Sequence, residues 1–538
     1  MGFIDVCKDC KCNNCLMMIP QGDSTDCHSC DWCIDGDFRK DECENYYASI
    51  SQTKGGVTLK LIMDSILRLR DVPPELLKQI KAELTIKNPD YIKKKRMGLN
   101  RWAWGQEYIK LWSEKNVNGI VEYILPRGYF AHLWNLAGLS WSKIDDRRVT
   151  LPEVTFHVKT KLRDYQEPAV NLAKDWQQGV FIAPCGSGKT ICGMGIIAEL
   201  QQPTLWICHT IDLLRQSMDS AIKFLGLTGN QIGVIQGENM SIGTHMTFAT
   251  VQTLAKRDLT GIRDKFGCII VDEAHLCFKD AAKSRMFESV ISQLPAFYRF
   301  GLTASEHRSD GLIETMFHVI GPKFYEVAQD DPRLSVMVPR VEFIETDFEY
   351  DQGVDGDGEK EMLSVQQMYV AMRCCERRNE VIKEILGGMT AGVDYCLCLG
   401  DSLAHLKELC EYVKDFLGAK AAFVCCETPK KERDSIMAGM REGRYTFLFA
   451  TKQLSKLGLD IPRLNKLVLL TPHKDSTTTQ QSTGRICRPF EGKKDVVVYD
   501  LVDTSVLQCK KWTRERLKVY KELGCQIFNG KIISKSRR

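Results

Sequence analysis

Ala183-Pro-Cys-Gly-Ser-Gly-Lys-Thr190 places a glycine-rich turn, a lysine and a hydroxyl where an apolar run, Val180-Phe-Ile-Ala183, ends. That combination suits a polyphosphate. Backbone N–H groups from Gly186, Ser187, Gly188, Lys189 and Thr190 turn inward, and the start of a following helix adds positive potential. Lys189 is expected to reach the β- and γ-phosphates, and the Thr190 hydroxyl to hold Mg2+. Asp272-Glu-Ala-His275 follows a second apolar run, Cys268-Ile-Ile-Val271. A carboxylate at a strand end, Asp272, suits a second Mg2+ ligand. Glu273 is then placed to orient and deprotonate an attacking water. His275 is expected to link the nucleotide site to motion of a second lobe. Farther on, Gln481-Ser-Thr-Gly-Arg-Ile-Cys-Arg488 sets Arg485 and Arg488 three apart, on one face of an expected helix. Such a pair would stabilise charge on a departing γ-phosphate. With Gly301-Leu-Thr-Ala-Ser305 between them, these segments describe an ATP-driven motor whose cleft lies between two lobes.

Buried parallel sheets must position these groups. From Lys161 to about Asp330, short β-rich runs alternate with amphipathic stretches: Val180–Ala183, Thr204–Cys208, Met246–Ala249 and Cys268–Val271. A second set includes Tyr395–Leu399, Ala421–Val424, Thr446–Ala450, Lys466–Leu470 and Val496–Tyr499. Continuous apolar runs between helices predict parallel strands covered on both faces. The expected class is α/β. A zinc-stapled module over 1–50 and a small mixed α/β, basic, DNA-binding accessory domain over 51–150 precede the lobes. The first lobe covers 151–335, the second 336–508, and a basic tail 509–538. A Gly- and Asp-rich loop spans 351–360.

The N-terminal module rests on cysteine spacing. Cys7, Cys10, Cys12, Cys15, Cys27, Cys30, Cys33 and Cys43 supply eight thiols, with His28 among them. Cys-x2-Cys knuckles aim both sulfurs of one tight turn at one tetrahedral metal. Eight thiolates suit two zinc sites. One site with spare cysteines, an iron–sulfur cluster or disulfides are the alternatives. Few large apolar residues are present, so metal would supply the folding free energy.

Charge is unevenly distributed along a chain whose formal net charge is +4. Residues 1–50 hold 10 acidic and 4 basic residues, whereas residues 51–150 hold 18 basic and 10 acidic. An acidic module repels phosphates, which favours a protein partner there. The basic segment predicts a polyanionic track. Residues 51–100 read as helical from the rhythm of Leu59, Leu61, Ile62, Ile66 and Leu67, and a helix resumes over Leu76–Leu84. Lys95, Arg96 and Arg101 are the expected DNA contacts. Trp102, Trp104, Trp112, Trp134 and Trp141 read either as stacking rings or as a small core, with core favoured for most. No apolar run is long enough to span a membrane and no signal-peptide pattern opens the chain, so a cytoplasmic location is expected, at a nucleoid or viral replication site included.

Residues 155–505 resemble a superfamily 2 helicase core, with two tandem RecA-like lobes. The similarity is greatest to the branch that holds XPB, phage UvsW and the restriction motors, through Gly301-Leu-Thr-Ala-Ser-Glu-His-Arg308 and the Gln481–Arg488 segment. The resemblance implies that Gln166 reads adenine and that Thr303 and Ser305 couple hydrolysis to lobe movement. It implies that Thr250, Gln252, Thr253 and Thr451 contact a nucleic-acid strand and that Gly458 and Asp460 meet ATP. It also implies 3′→5′ polarity. The expected function is an ATP-dependent DNA helicase or translocase acting on single-stranded, forked or branched DNA, with ATP, Mg2+ and Zn2+. The alternatives are a duplex-translocating restriction or defence motor, and an ATP-switched recruitment platform.

Overall fold

The computed structural model describes residues 5–6, 16–17, 59–98, 100–139, 144–184, 186–278, 281–304, 313–328, 331, 333–334, 337–350, 365–452 and 461–529. The chain divides into two compact units, Met1–Ala183 with Lys189–Glu326, and Pro184–Gly188 with Val327–Arg538. Within the first unit, β1 (Lys60–Met63) and β2 (Ile66–Arg70) form an antiparallel hairpin. This corrects the helix expected there. Leu61, Met63, Leu67 and Leu69 are buried, at alternate positions across an Asp64-Ser65 turn. The same apolar residues satisfy a two-residue period as well as a helical one, and the turn decides between them. The helix expected over Leu76–Leu84 is present as Pro74–Glu83, and Pro74 occupies its first position, where a missing N–H costs nothing.

The rest of this accessory region holds β3 (Thr85–Lys87), helix Pro89–Arg96, β4 (Tyr108–Lys110), β5 (Ser113–Val117), β6 (Ile120–Pro126), helix Phe130–Ala137 and β7 (Ile144–Asp146). The sheet order is β5-β6-β2-β1-β7, and β3 pairs with β4 apart from it. Leu61, Leu69, Ile80, Leu125, Phe130 and Leu133 form its core. Trp112 and Trp134 pack against that core, as the core reading expects, while Trp102 is 85% exposed.

A buried turn, Arg127–Tyr129, joins this region to the eight-stranded sheet of the same unit. Arg127 is fully buried and donates to Gln178 Oε1 at 2.9 Å and to the Asp64 and Ala296 carbonyls. Arg299, also buried, donates in return to the Ser65 carbonyl at 3.1 Å. A Cβ on Gly128 would stand 2.5 Å from the Phe317 and His318 carbonyl oxygens, so only glycine permits this approach. A cavity of about 350 Å3 beside the turn is lined by Arg127, Glu288 and Arg299 among others. Burial pushes Glu288 up to about 7.

The eight-stranded sheet comprises β8 (Gln178–Ile182), β9 (Thr204–Cys208), β10 (Ile232–Gln236), β11 (Asn239–Met240), β12 (Met246–Thr250), β13 (Cys268–Val271), β14 (Tyr298–Thr303) and β15 (Lys323–Glu326). Their order is β11-β10-β12-β9-β13-β14-β8-β15, and every pairing except β10 with β11 is parallel. Strands β8, β9, β12 and β13 are buried at every residue, as their largely apolar character predicts.

The second unit carries β16 (Arg340–Thr346), β17 (Cys396–Gly400), β18 (Ala421–Val424), β19 (Phe447–Thr451), β20 (Lys466–Leu469), β21 (Val497–Asp503) and β22 (Gln526–Phe528). All pairings are parallel, in the order β18-β19-β17-β20-β21-β16-β22. Helix Leu507–Glu522 buries Cys509, Trp512 and Tyr520 before β22 joins the sheet. The eight N-terminal cysteines, Trp141 and the 351–360 loop lie outside the described residues. Among the described residues, no cluster of three or more His, Cys, Asp or Glu could hold a metal, and no helix is long and apolar enough to cross a membrane.

Candidate nucleotide-binding site

Strand β8 delivers the phosphate loop. Ala183, just past it, donates its N–H to the Thr303 carbonyl at 3.0 Å. Gly186 and Gly188 have φ of +83° and +81°, a left-handed conformation that glycine adopts without strain. The Ser187 N–H donates to the Pro184 carbonyl at 3.2 Å, closing the turn, and helix Lys189–Leu200 starts at once. Lys189 is therefore buried at the positive end of a helix. An anion satisfies both features. Cys185 lies outside the described residues.

Strand β13 delivers the carboxylates. Asp272 is buried, and its N–H donates to the Ile207 carbonyl at 2.9 Å. Its Oδ2 accepts from Thr190 Oγ1 at 3.4 Å and from Ser217 Oγ at 3.1 Å. Burial, then the neighbouring Glu273 charge, pushes Asp272 up to about 6, while Ser217 and Lys189 act in the opposite direction. Thr190 and Asp272 thus place two hard oxygen donors together, a donor set that fits Mg2+.

Glu273 has φ of +48°, uncommon for a residue with a side chain. Its Oε2 is buried, makes no hydrogen bond among the described residues, and lies 3.5 Å from His275 Nδ1. An ionisable oxygen held in this way has capacity for a water proton. His275 Nδ1 also meets Thr303 Oγ1 at 3.0 Å, at the end of β14. Four segments distant in sequence therefore converge at the carboxyl ends of β8, β13 and β14.

Sequence reasoning missed Ser217. It lies on helix Ile211–Leu225, on the buried face with Leu214 and Ala221. A serine among apolar residues at helical spacing was the available signal, since a buried hydroxyl needs a partner. Gln166 is buried, and its Oε1 accepts from the Arg163 N–H at 3.0 Å. The Thr250 hydroxyl caps helix Val251–Leu254 by accepting from the Thr253 N–H, and Gln252 Nε2 meets His209 Nδ1 at 3.2 Å. Ser305 lies outside the described residues.

In the second unit, Thr451 closes β19, and the next residue, Lys452, donates to Asp401 Oδ2 at 2.7 Å. Burial brings Lys452 down to about 8. Gly458 and Asp460 lie outside the described residues. Arg485 sits on helix Ser476–Ile486, but Arg488 lies beyond its end, which corrects the expectation of one shared helical face. Pro489 disfavours helical backbone at the residue before it. Lys493 Nζ donates to the Pro462, Leu464, Ile486 and Arg488 carbonyls. It fastens the end of this helix to the segment that follows Asp460. Sequence reasoning missed Lys493 as well.

Residues 159–308 match the family model described as type III restriction enzyme, res subunit, and residues 377–489 match the helicase conserved C-terminal domain. The chain is 29% identical over 356 residues to the DNA 3′-5′ helicase XPB of Mycobacterium tuberculosis, covering 64% of this chain and 60% of that protein. It is 23% identical over 383 residues to the DNA 3′-5′ translocase XPB2 of Sulfurisphaera tokodaii, covering 66% and 84%. The match spans only 60% and 57% of the first two relatives. Among solved structures, the ATP-dependent type ISP restriction-modification enzyme LlaBIII bound to DNA is similar in fold. Its TM-score is 0.52 at 16% identity, with 68% of this chain and 30% of that one covered.

Proposed function

We propose that this chain, which carries a superfamily 2 helicase core, hydrolyses ATP to move along DNA and to separate or remodel its strands. One observation carries the hydrolytic part: the buried, unbonded Glu273 Oε2 beside Asp272, with Thr190 and Lys189 at the phosphate loop. Lys189 and the N–H groups of Gly186, Ser187 and Gly188 hold the phosphates. Thr190 and Asp272 would hold Mg2+, which would supply charge neutralisation to the bound phosphates. Glu273 orients the attacking water and takes its proton. Gln166 serves adenine recognition, and Arg485 and Arg488 stabilise the developing negative charge, with Gly458 and Asp460 as further nucleotide contacts. The His275–Thr303 hydrogen bond carries the state of the nucleotide site to the motif that includes Ser305.

The DNA reading is supported by the activities for which the two XPB relatives are named and by the basic accessory region. Gln252, Thr253 and Thr451, with Lys95, Arg96 and Arg101, are the proposed contacts. Thr250 acts through its cap on the same short helix. Forked or branched DNA is the proposed substrate, moved along with 3′→5′ polarity. The cysteine spacing supports two zinc ions on Cys7 to Cys43, in a module that docks a protein partner.

Steady-state ATPase with no nucleic acid, single-stranded DNA, duplex, fork and RNA, beside Glu273→Gln, tests this. Stimulation by a fork or single strand, reduced about 10³-fold or more in the variant, is expected. Stimulation by duplex alone would replace unwinding with translocation. No stimulation by any DNA would remove the motor reading.

A further inference from the structure

The accessory region presents one surface that its own core does not explain. Strands β3 and β4 pair as Thr85 with Lys110, Ile86 with Ile109 and Lys87 with Tyr108. The chain between them is thus an excursion pinned at its base. Asn88 reinforces the base, since its Nδ2 donates to the Gln106 carbonyl at 2.8 Å and its Oδ1 accepts from the Asp90 N–H. On this excursion, Tyr91 and Trp104 meet edge to face at 5.6 Å. Lys95 Nζ stands 5.9 Å from the first ring centroid and 5.7 Å from the second. Trp102 occupies the neighbouring 3-10 turn, Arg101–Ala103, beside the exposed Arg101. Among the seven described tryptophans, Trp102 is the only exposed one.

A large ring held in water on a short, anchored turn has given up the free energy of burial, roughly 2–3 kcal/mol for a side chain of this size. Its surroundings say what covers it. Residues 87–110 carry seven basic and two acidic side chains, which attract a polyanion and repel basic surfaces. Aromatic rings among cations match one polymer above others, a nucleic-acid strand whose bases are free to stack. Paired bases in a duplex show their faces only to each other, so a ring gains little from them.

We propose that Trp102 stacks on an unpaired base of a DNA strand whose phosphates meet Lys95 and Arg101. This deepens the proposed function by giving the accessory region a preference for single strands over duplex, and it rests on the reading that DNA is the track. The surface holds the unpaired strand while the motor works on the adjoining DNA.

Fluorescence anisotropy of the full chain with a labelled dT20 and with a blunt duplex of equal length tests it. Trp102→Ala should weaken dT20 binding about 5- to 100-fold, with Trp102→Phe between it and the unmodified protein. Duplex affinity should stay within about twofold, since the ring neutralises no phosphate. Lys95→Ala and Arg101→Ala should each lower the salt slope for dT20 by about 0.7, whereas Trp102→Ala leaves it unchanged. Unaltered dT20 binding by Trp102→Ala would overturn the proposal, as would equal losses for dT20 and duplex in variants that melt like the unmodified protein. DNA-stimulated ATPase of the unmodified chain is read separately. Its absence would remove the motor reading, while the binding series still decides what Trp102 touches.

Discussion

His275 Nδ1 stands 3.0 Å from Thr303 Oγ1, and the same nitrogen lies 3.5 Å from Glu273 Oε2. The imidazole thus joins the residue proposed to activate water to the end of β14. Replacing Thr303 by Val keeps the shape and removes one hydrogen-bond partner. ATP hydrolysis should fall by about threefold to tenfold, the scale of one lost hydrogen bond. Strand separation per ATP should fall further, because the coupling contact is gone while the phosphate loop is intact. Parallel ATPase and unwinding rates check this; proportional losses in both would reject a coupling role.

Ser217 donates to the Asp272 oxygen that also accepts from Thr190. A side chain that orients a metal ligand is worth about 10- to 100-fold in metal affinity. Ser217→Ala should therefore raise the Mg2+ concentration for half-maximal ATPase by at least about tenfold. The rate at saturating Mg2+ should be largely restored. Titration of Mg2+ at fixed ATP reads both quantities.

Lys493 answers four carbonyl oxygens with one ammonium group, against burial that brings it down to about 8. Lys493→Met keeps much of the stem and deprives those carbonyls of their donor. A destabilisation of roughly 2–4 kcal/mol is expected. ATPase should fall with it, since Arg485 and Arg488 flank the end of the fastened helix. Thermal melting and ATPase rates on Lys493→Met, with Lys493→Arg as the charge-preserving control, test this.

Glu288 gives a pH dependence of known sign. Its folded value, about 7, lies above the ordinary glutamate value of 4.5, so around neutral pH the folded protein holds a proton that the unfolded chain has lost. Stability contributed by this group is present below about 4.5 and falls as pH rises through about 7. Glu288→Gln removes the cost, so the variant should gain stability relative to the unmodified protein between pH 5 and pH 8, by roughly 1–3 kcal/mol. Denaturant melts at both pH values measure the difference, and an equal gain at each would point to packing instead.

The sheets were legible because β8, β9, β12 and β13 are short, largely apolar runs, and such runs have few folded uses. The phosphate loop and the Asp272–His275 segment were legible because their chemistry is local in sequence. The hairpin over Lys60–Arg70 was misread because its apolar residues fit two periods at once. Arg488 was assigned to a helix because spacing was read without Pro489. Ser217 and Lys493 escaped notice for a different reason: each acts on a residue or carbonyl that only folding brings near. For Trp102 the sequence leaves stacking ring and core both open, because composition does not report which ring a turn leaves outside.

The turn at Arg127–Tyr129 bears on how this chain could be taken apart. Cutting the chain ahead of β8 would leave Arg299 without its Ser65 acceptor and Gln178 without Arg127, and would strip the cover from Phe317 and His318. The eight-stranded sheet is not an interchangeable cassette. A chimera that grafts it onto another head must carry residues 59–146 along or rebuild that face.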